Sequence, residues 1–385
     1  MDSYALVGAN VCLENEVVPN AIIIVESGVI KDIIKEELYS IQGLSNIINL
    51  PSDSFIAPGF IDVHIHGANG SDIMDADLDS IFNIAGALLE NGTTGFLATT
   101  MSETDENITR ALKSIYDYSL EEGYDPEKYS DIYGVHLEGP YLSELKAGAQ
   151  NPIHITQANI KQFKKWQDIS GNRIKKVTIA PEADINVSFV SYLKKEKIIS
   201  SIGHTCCSAK DASKYIDAGA SSCTHMFNAM SGLDHRSPGA LLPVLMSDQI
   251  ISEIIADEVH VSPEMLDFAF KMKGANNLIL VTDAMSAQGY GDGVFQLGGQ
   301  LVEVKGNEAR LENGTLAGSV LSMNKALSNM IKNTNCSLLE AIKMSSVNPA
   351  KQIGIFDKVG SISIGKKANL VVLDKNFQLL NVFKS

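Results

Sequence analysis

Eight short β-rich runs, each followed by a segment of helical period, recur between about residues 58 and 350 of this 385-residue chain. The runs are 60–66, 94–100, 132–138, 177–181, 198–204, 222–227, 251–257 and 278–283. Strand–helix alternation of this regularity demands a parallel sheet with helical crossovers, and eight units close it into a (β/α)8 barrel. Helix signals support the connecting segments. Ser102 and Asp105 form a capping-box pattern ahead of Ile108, Ala111, Leu112, Ile115 and Tyr116. Ser208 and Asp211 open the helix after the fifth run, and Gly219 closes it. An open doubly wound sheet is the competing fold, but no Gly-x-Gly-x-x-Gly turn follows any run, which argues against a dinucleotide-binding version.

The two ends read differently. Residues 1–57 and 351–385 contain short alternating runs split by turn residues, such as Ala21–Val25, Val29–Ile34 and Asn369–Asp374. Neither piece has enough strands to be stable alone. They are expected to meet as one small β-sandwich beside a barrel domain of residues 58–350.

Five of the eight histidines and two carboxylates fall at or near the C-terminal ends of the runs: His64, His66, Glu138, His204, His225, His260 and Asp283. That is the end at which a barrel carries its active site. His64 and His66, two apart on a strand, leave the same face. Imidazoles with one carboxylate suit zinc or another first-row divalent metal, and the carboxylate can serve one metal or bridge two. A carboxylate facing an activated water, as Asp283 would, can take its proton and pass it to a leaving group. His136 shares the face of Glu138 and reads as a core residue, while His154 and His235 read as solvated loop residues. Cys206 and Cys207 follow His204 and read as small packing residues rather than ligands.

The net charge of −15 argues against a nucleic-acid backbone or an anionic membrane as partner. Five cysteines, two of them adjacent, do not make a disulfide framework, and the N-terminus has no signal-peptide pattern. A cytoplasmic protein is expected.

With these residues assembled, the chain resembles the amidohydrolase superfamily. The marks are Ala57-Pro-Gly-Phe-Ile-Asp-Val-His-Ile-His-Gly67 and the segment Gly360–Asp374. Within the superfamily it resembles the N-acetylglucosamine-6-phosphate deacetylases through His136-Leu-Glu-Gly-Pro-Tyr141, Gly203-His-Thr205, Thr224-His-Met-Phe-Asn-Ala-Met230, Arg236-Ser-Pro-Gly239, Asp257-Glu-Val-His260, Val281-Thr-Asp-Ala-Met285 and Gly314-Thr-Leu-Ala-Gly318. The resemblance implies hydrolysis of an N-acetyl group to acetate and an amino-sugar phosphate, as a step of amino-sugar catabolism. It implies Glu138, His204 and His225 as the main metal ligands, His64 and His66 as ligands of a second metal, and Asp283 as general base and then acid. One or two divalent metals are implied, zinc first, with iron, manganese or cobalt as alternatives. Ala149, Asn228, Ala229, Arg236, His260, Leu316, Ala317 and Gly318 match substrate-contact positions. Arg236 would serve a neighbouring subunit's site, which implies a homodimer.

Two positions depart from the family pattern. Gln150 stands in Gly148-Ala-Gln-Asn-Pro152 where many relatives carry histidine, and it is expected to help hold the carbonyl oxygen. Glu258 stands where many relatives carry glycine. Three rivals remain at this point. One is an N-acetylgalactosamine-6-phosphate deacetylase. Another is a cyclic-amide hydrolase or deaminase, which the fourth run, Val177–Pro181, disfavours because it contains no lysine to bridge two metals. The third is a barrel retained only for assembly, which should have lost its ligands.

Overall fold

Eight parallel strands follow one another around a barrel in chain order, in a computed structural model that describes residues 3–35, 46–121 and 124–385. They are β1 (Phe60–Ile65), β2 (Thr93–Thr100), β3 (Asp131–Glu138), β4 (Ile174–Ile179), β5 (Ile199–Ile202), β6 (Ser222–Cys223), β7 (Ile251–Ile255) and β8 (Leu278–Val281). All eight expected runs are strands, but their limits shift in ways that matter. β4 starts three residues earlier than expected and includes Lys175 and Lys176. The expectation of a lysine-free fourth strand is therefore wrong. β5, β6 and β8 stop two residues short of His204, His225 and Asp283, which take left-handed backbone conformations (φ 46°, 28° and 49°).

The seam between β8 and β1 is closed by groups at the barrel mouth. The Asp283 amide donates to the His64 carbonyl (2.9 Å) and the His66 amide to the Ala284 carbonyl (2.9 Å). Beneath them the Thr282 hydroxyl donates to Asp62 Oδ2 (2.5 Å), while Asp62 Oδ1 accepts the His64 amide (3.1 Å). Asp62 is fully buried, and burial pushes its carboxyl up to about 7 against these hydrogen bonds.

The helices pack their apolar stripes on the barrel exterior, as periodicity predicts. Leu78–Glu90 buries Ile81, Ile84, Ala85, Leu88 and Leu89. Ala209–Ala218 is capped by Ser208, whose side chain accepts from the Asp211 amide, and ends at Gly219. Asp105–Tyr118 is capped by Thr104 rather than Ser102. Ser102 packs instead against Gly139, where a Cβ would lie 2.1 Å from its Oγ, and its amide is bound by Gln150.

Strands from both ends of the chain make two further sheets. One contains Val29–Ile34, Ile22–Glu26, Tyr4–Val7 and Ile47–Asn49. The other orders Leu379–Phe383, Leu370–Leu373, Phe55–Pro58, Asn10–Cys12 and Val17–Val18. Leu6, Val11, Ile23, Val25, Ile56 and Leu370 from the two sheets share one apolar core, giving the small β-sandwich. Residues 1, 2 and 36–45 of the expected N-terminal segment lie outside the described residues. A third sheet was not anticipated: Gly293–Leu297, Gln300–Lys305 and Glu308–Leu311 form an antiparallel meander after β8. It packs Leu297, Val302 and Ala309 on Met101 and Met285 at the barrel mouth. Among the described residues, no helix is long and apolar enough to cross a membrane.

The seam yields a stability prediction. Thr282→Val strips a hydroxyl donor from a buried carboxylate and should lower stability by about 1–3 kcal/mol. Thr282→Ser should retain most of it. Denaturant unfolding of both variants checks this, and equal stability of Thr282→Val and the parent would rule out a stabilising role for the seam.

Candidate metal centre and active site

Glu138 ends β3 on the barrel axis with 2% of its surface exposed, and its two oxygens face different partners. Oε1 lies 3.2 Å from His204 Nε2 and 3.2 Å from His225 Nε2, and those two nitrogens are 3.0 Å apart. Oε2 lies 3.1 Å from His66 Nε2 and 3.4 Å from His64 Nε2. Asp283 Oδ1 completes the second group, 3.3 Å from His66 Nε2 and 3.4 Å from His64 Nε2. Glu138–His204–His225 and His64–His66–Asp283 are each spaced to hold a cation.

The fit to a metal is geometric. Ligand atoms placed tetrahedrally at about 2.0–2.1 Å from zinc sit roughly 3.3 Å from one another, close to the separations around Glu138. Tautomers agree. His204 Nδ1 donates to the Lys146 carbonyl (2.8 Å), which leaves the Nε2 lone pair for the centre. His64 Nδ1 donates to Glu253 Oε2 (3.0 Å), and its Nε2 has no hydrogen-bond partner.

Charge is the second consideration. Burial pushes Glu138 up, but the imidazoles of His64, His204 and His225 outweigh it and hold the carboxyl well below its usual range. Burial pushes the His66 imidazole down, but its hydrogen bonds to Asp283 and Glu138 lift it to about 9. Asp283 is likewise held below the ordinary carboxylate range, burial opposing and His64 and His66 prevailing.

A cavity of about 460 Å³ opens over this centre. Of the sequence-derived contact positions, Ala149, Gln150, Asn228, Ala229, His260, Leu316 and Gly318 line it. Asn228 Nδ2 is buried without a partner. His260 is fixed by Asp257, whose Oδ2 lies 2.7 Å from Nδ1. Two expected contacts are elsewhere. Ala317 is buried in the meander core, and Arg236 is exposed on a loop and does not line this cavity. Two cations that sequence reasoning missed do line it, Lys146 and Arg310. Arg310 is held by Glu308 (2.7 Å) and the Gly314 carbonyl (2.7 Å).

Gln150 also differs from expectation. Its Nε2 donates to Glu138 Oε2 (2.9 Å) and meets Met101 Sδ (3.5 Å), while its Oε1 accepts the Ser102 amide (2.6 Å). Its amide hydrogens face Glu138 and Met101 rather than the open cavity. Glu258 takes the left-handed conformation (φ 65°) that glycine favours, and its side chain turns outward to Lys332 (2.8 Å) and Asn333 (2.6 Å). Cys206 is exposed and Cys207 buried, and neither joins a cluster able to hold a metal. His154 lies 3.5 Å from Glu103, His235 is exposed, and His136 is buried against the Val63 carbonyl (3.2 Å) and Thr178 (2.7 Å).

Beneath the ligands lies a pair invisible in the sequence. Lys176 of β4 and Glu253 of β7 are both fully buried and form an ion pair. Burial pushes Glu253 up, but Lys176 and then His64 hold it well below the usual carboxylate range. Glu253 can also be grouped with His64 and His136 as ligands, but the Lys176 ammonium already occupies that carboxylate.

Known proteins share this architecture. The family model described as amidohydrolase family matches residues 55–385. The N-acetylglucosamine-6-phosphate deacetylase of Bacillus subtilis (strain 168) is 41% identical over 367 residues, 95% of this chain and 92% of the relative. The crystal structure of N-acetylglucosamine-6-phosphate deacetylase from Pasteurella multocida superposes with a TM-score of 0.92 at 30% identity, covering 99% of this chain and 98% of that one. A mutant of the Mycobacterium smegmatis enzyme in complex with N-acetyl-D-glucosamine-6-phosphate gives 0.90 at 27% identity, covering 100% and 98%.

The elevated His66 imidazole sets a pH dependence. Below about 9 a metal must displace its proton, so apparent affinity should fall about tenfold per pH unit for each proton displaced. Chelator-competition titrations between pH 6 and 9 measure this, and a pH-independent affinity would contradict the arrangement.

Proposed function

The chain belongs to the amidohydrolase family and, within it, to the N-acetylglucosamine-6-phosphate deacetylases, and from that membership we propose how its own residues work. The reaction is metal-dependent hydrolysis of the N-acetyl group of N-acetylglucosamine 6-phosphate, giving glucosamine 6-phosphate and acetate. The observation that carries the reading is Glu138, one buried carboxylate whose two oxygens each face a different imidazole pair.

Glu138, His204 and His225 would hold the first divalent metal. His64, His66 and Asp283, with the second oxygen of Glu138, would hold another. Imidazole with carboxylate favours zinc, with iron, manganese or cobalt as alternatives. The bound metal supplies Lewis acidity, which acidifies water and polarises the acetyl carbonyl. Asp283 faces the cavity floor and takes the proton of the attacking water. It later gives that proton to the departing amine. Gln150 fixes the orientation of Glu138, and the free Nδ2 of Asn228 and the Asp257-bound His260 orient the sugar phosphate. Arg310 of the meander, and Leu316 and Gly318 in the segment after it, line the cavity wall against which the substrate would lie. Acetate release from N-acetylglucosamine 6-phosphate, with and without chelator, tests the reading. No release from the metal-loaded protein would sink it.

We read the protein as a cytoplasmic homodimer in which Arg236 reaches the neighbouring site. The five free cysteines support the compartment, and the exposure of Arg236 outside the lining of its own cavity supports the dimer.

Two outcomes are expected. Asp283→Asn should remain folded and lower kcat by roughly 10²- to 10⁴-fold, the usual contribution of a positioned acid/base. A variant keeping more than half of the parent kcat removes Asp283 from proton transfer.

Arg236→Ala should lower kcat/KM for the phosphorylated sugar by roughly 10- to 150-fold, the loss of one charge-assisted hydrogen bond. It should leave the unphosphorylated sugar nearly unaffected. Mixing Arg236→Ala with Asp283→Asn protomers should restore activity, since each hybrid dimer contains one site with both residues. Failure to complement places the phosphate contact within one subunit, with Arg310 its first candidate.

A further inference from the structure

We infer that Glu253, held by Lys176, is the positioning residue that prepares the His64–His66 half of the centre for a second divalent metal. The inference rests on the metal-dependent function proposed for this site and goes beyond it by assigning work to a buried pair outside the two proposed ligand groups. Glu253 lies on β7 and Lys176 on β4, and neither side chain has any exposed surface. Glu253 is saturated with donors. Oε1 takes Lys176 Nζ, and Oε2 takes both His64 Nδ1–H (3.0 Å) and the backbone amide of His225 (3.0 Å). One carboxylate thus grips a ring from the second half of the centre and the main chain of a ligand from the first.

The chemistry of this grip is directional. A carboxylate only accepts, so His64 must carry its proton on Nδ1, and its Nε2 lone pair is then aimed at the centre. There Nε2 lies 3.4 Å from Glu138 Oε2 and 3.4 Å from Asp283 Oδ1, with no hydrogen-bond partner of its own. His136 closes the remaining side of the ring, edge-on with centroids 4.5 Å apart. Lys176 makes the device tolerable, because a third lone carboxylate below Glu138 and Asp283 would be an uncompensated buried charge. The pair therefore adds direction without adding net charge.

Glutamine at 253 breaks this logic. Its single carbonyl oxygen cannot accept three donors, and its NH2 group can donate to His64 Nδ1. That stabilises the opposite tautomer and turns a hydrogen, not a lone pair, towards the metal. A partner outside the ligand shell typically changes metal affinity about 10- to 100-fold. The experiment compares the parent, Glu253→Gln, the charge-neutral double variant Lys176→Met/Glu253→Gln, and His64→Ala. Zinc per subunit is measured after equilibration at graded free zinc, alongside cooperative thermal unfolding. The parent should bind two equivalents. A folded Glu253 variant should bind the first as the parent does and the second at least 10-fold more weakly, like His64→Ala. The inference is overturned if a folded variant keeps both equivalents, if both weaken together, or if the parent saturates at one. It is also overturned if neither Glu253 variant folds, which would make the pair a packing device. A parent that binds two zinc ions but releases no acetate would instead sink the functional reading and leave this one standing.

Discussion

Everything at the mouth of this barrel is organised by the cost of burying Glu138. A carboxylate with 2% exposure is unfavourable unless cations or strong donors surround it. Here four imidazoles crowd it, and Asp283 sits nearby with the same sign of charge. Protonated imidazoles can compensate that charge, and so can divalent metal with neutral imidazoles. The two solutions compete, and Asp283 and Glu138 drive the His66 imidazole upwards. Metal binding is then a replacement of protons, and the geometry that makes the ligands basic also makes their affinity sensitive to pH.

Backbone strain is also present at this place. His204, His225 and Asp283 are all non-glycine residues in the left-handed region, each two residues beyond its strand. Such conformations cost of order 1–3 kcal/mol each and persist only where surroundings enforce them. The enforcement is visible. The Asp283 amide is bound to the His64 carbonyl, the Asp283 carbonyl accepts the Ser319 amide (2.8 Å), and the His225 amide is bound to Glu253. By leaving the sheet two residues early, the chain turns these side chains towards the axis.

What was legible in the sequence follows from this. The alternation of strand and helix is a property of local periodicity, and all eight barrel strands were readable. The cluster of imidazoles and carboxylates was readable because its members recur at equivalent places in successive units. The Lys176–Glu253 pair was not, since the fourth run was expected to begin at Val177, after the two lysines of Ile174-Lys-Lys-Val177. Only closure of the barrel reveals that Glu253, 77 residues later, is its partner. The meander over the mouth left a signal, two-residue turns at Gly298-Gly299 and Gly306-Asn307 between alternating segments, which the barrel pattern overshadowed. The cavity-lining role of Arg310 depends on how that meander folds back, which no local pattern encodes.

The charge distribution finally bears on selectivity. A chain of net charge −15 with the carboxylates of Glu138 and Asp283 buried under its cavity repels a phosphate dianion. Attraction must come from the metal centre and from a few cations placed at the rim, Lys146 and Arg310 within the subunit and, in the proposed homodimer, Arg236 across the subunit boundary. In the proposed mode the rim cations would meet the phosphate and the centre the acetyl carbonyl. A sugar without phosphate loses the first attraction and still faces the acidic field, while one without the acetyl group has nothing for the centre to polarise. On that proposal discrimination arises from the separation of two positive poles in an otherwise negative protein, and the meander brings Arg310 to the cavity and packs on Met285, two residues after Asp283.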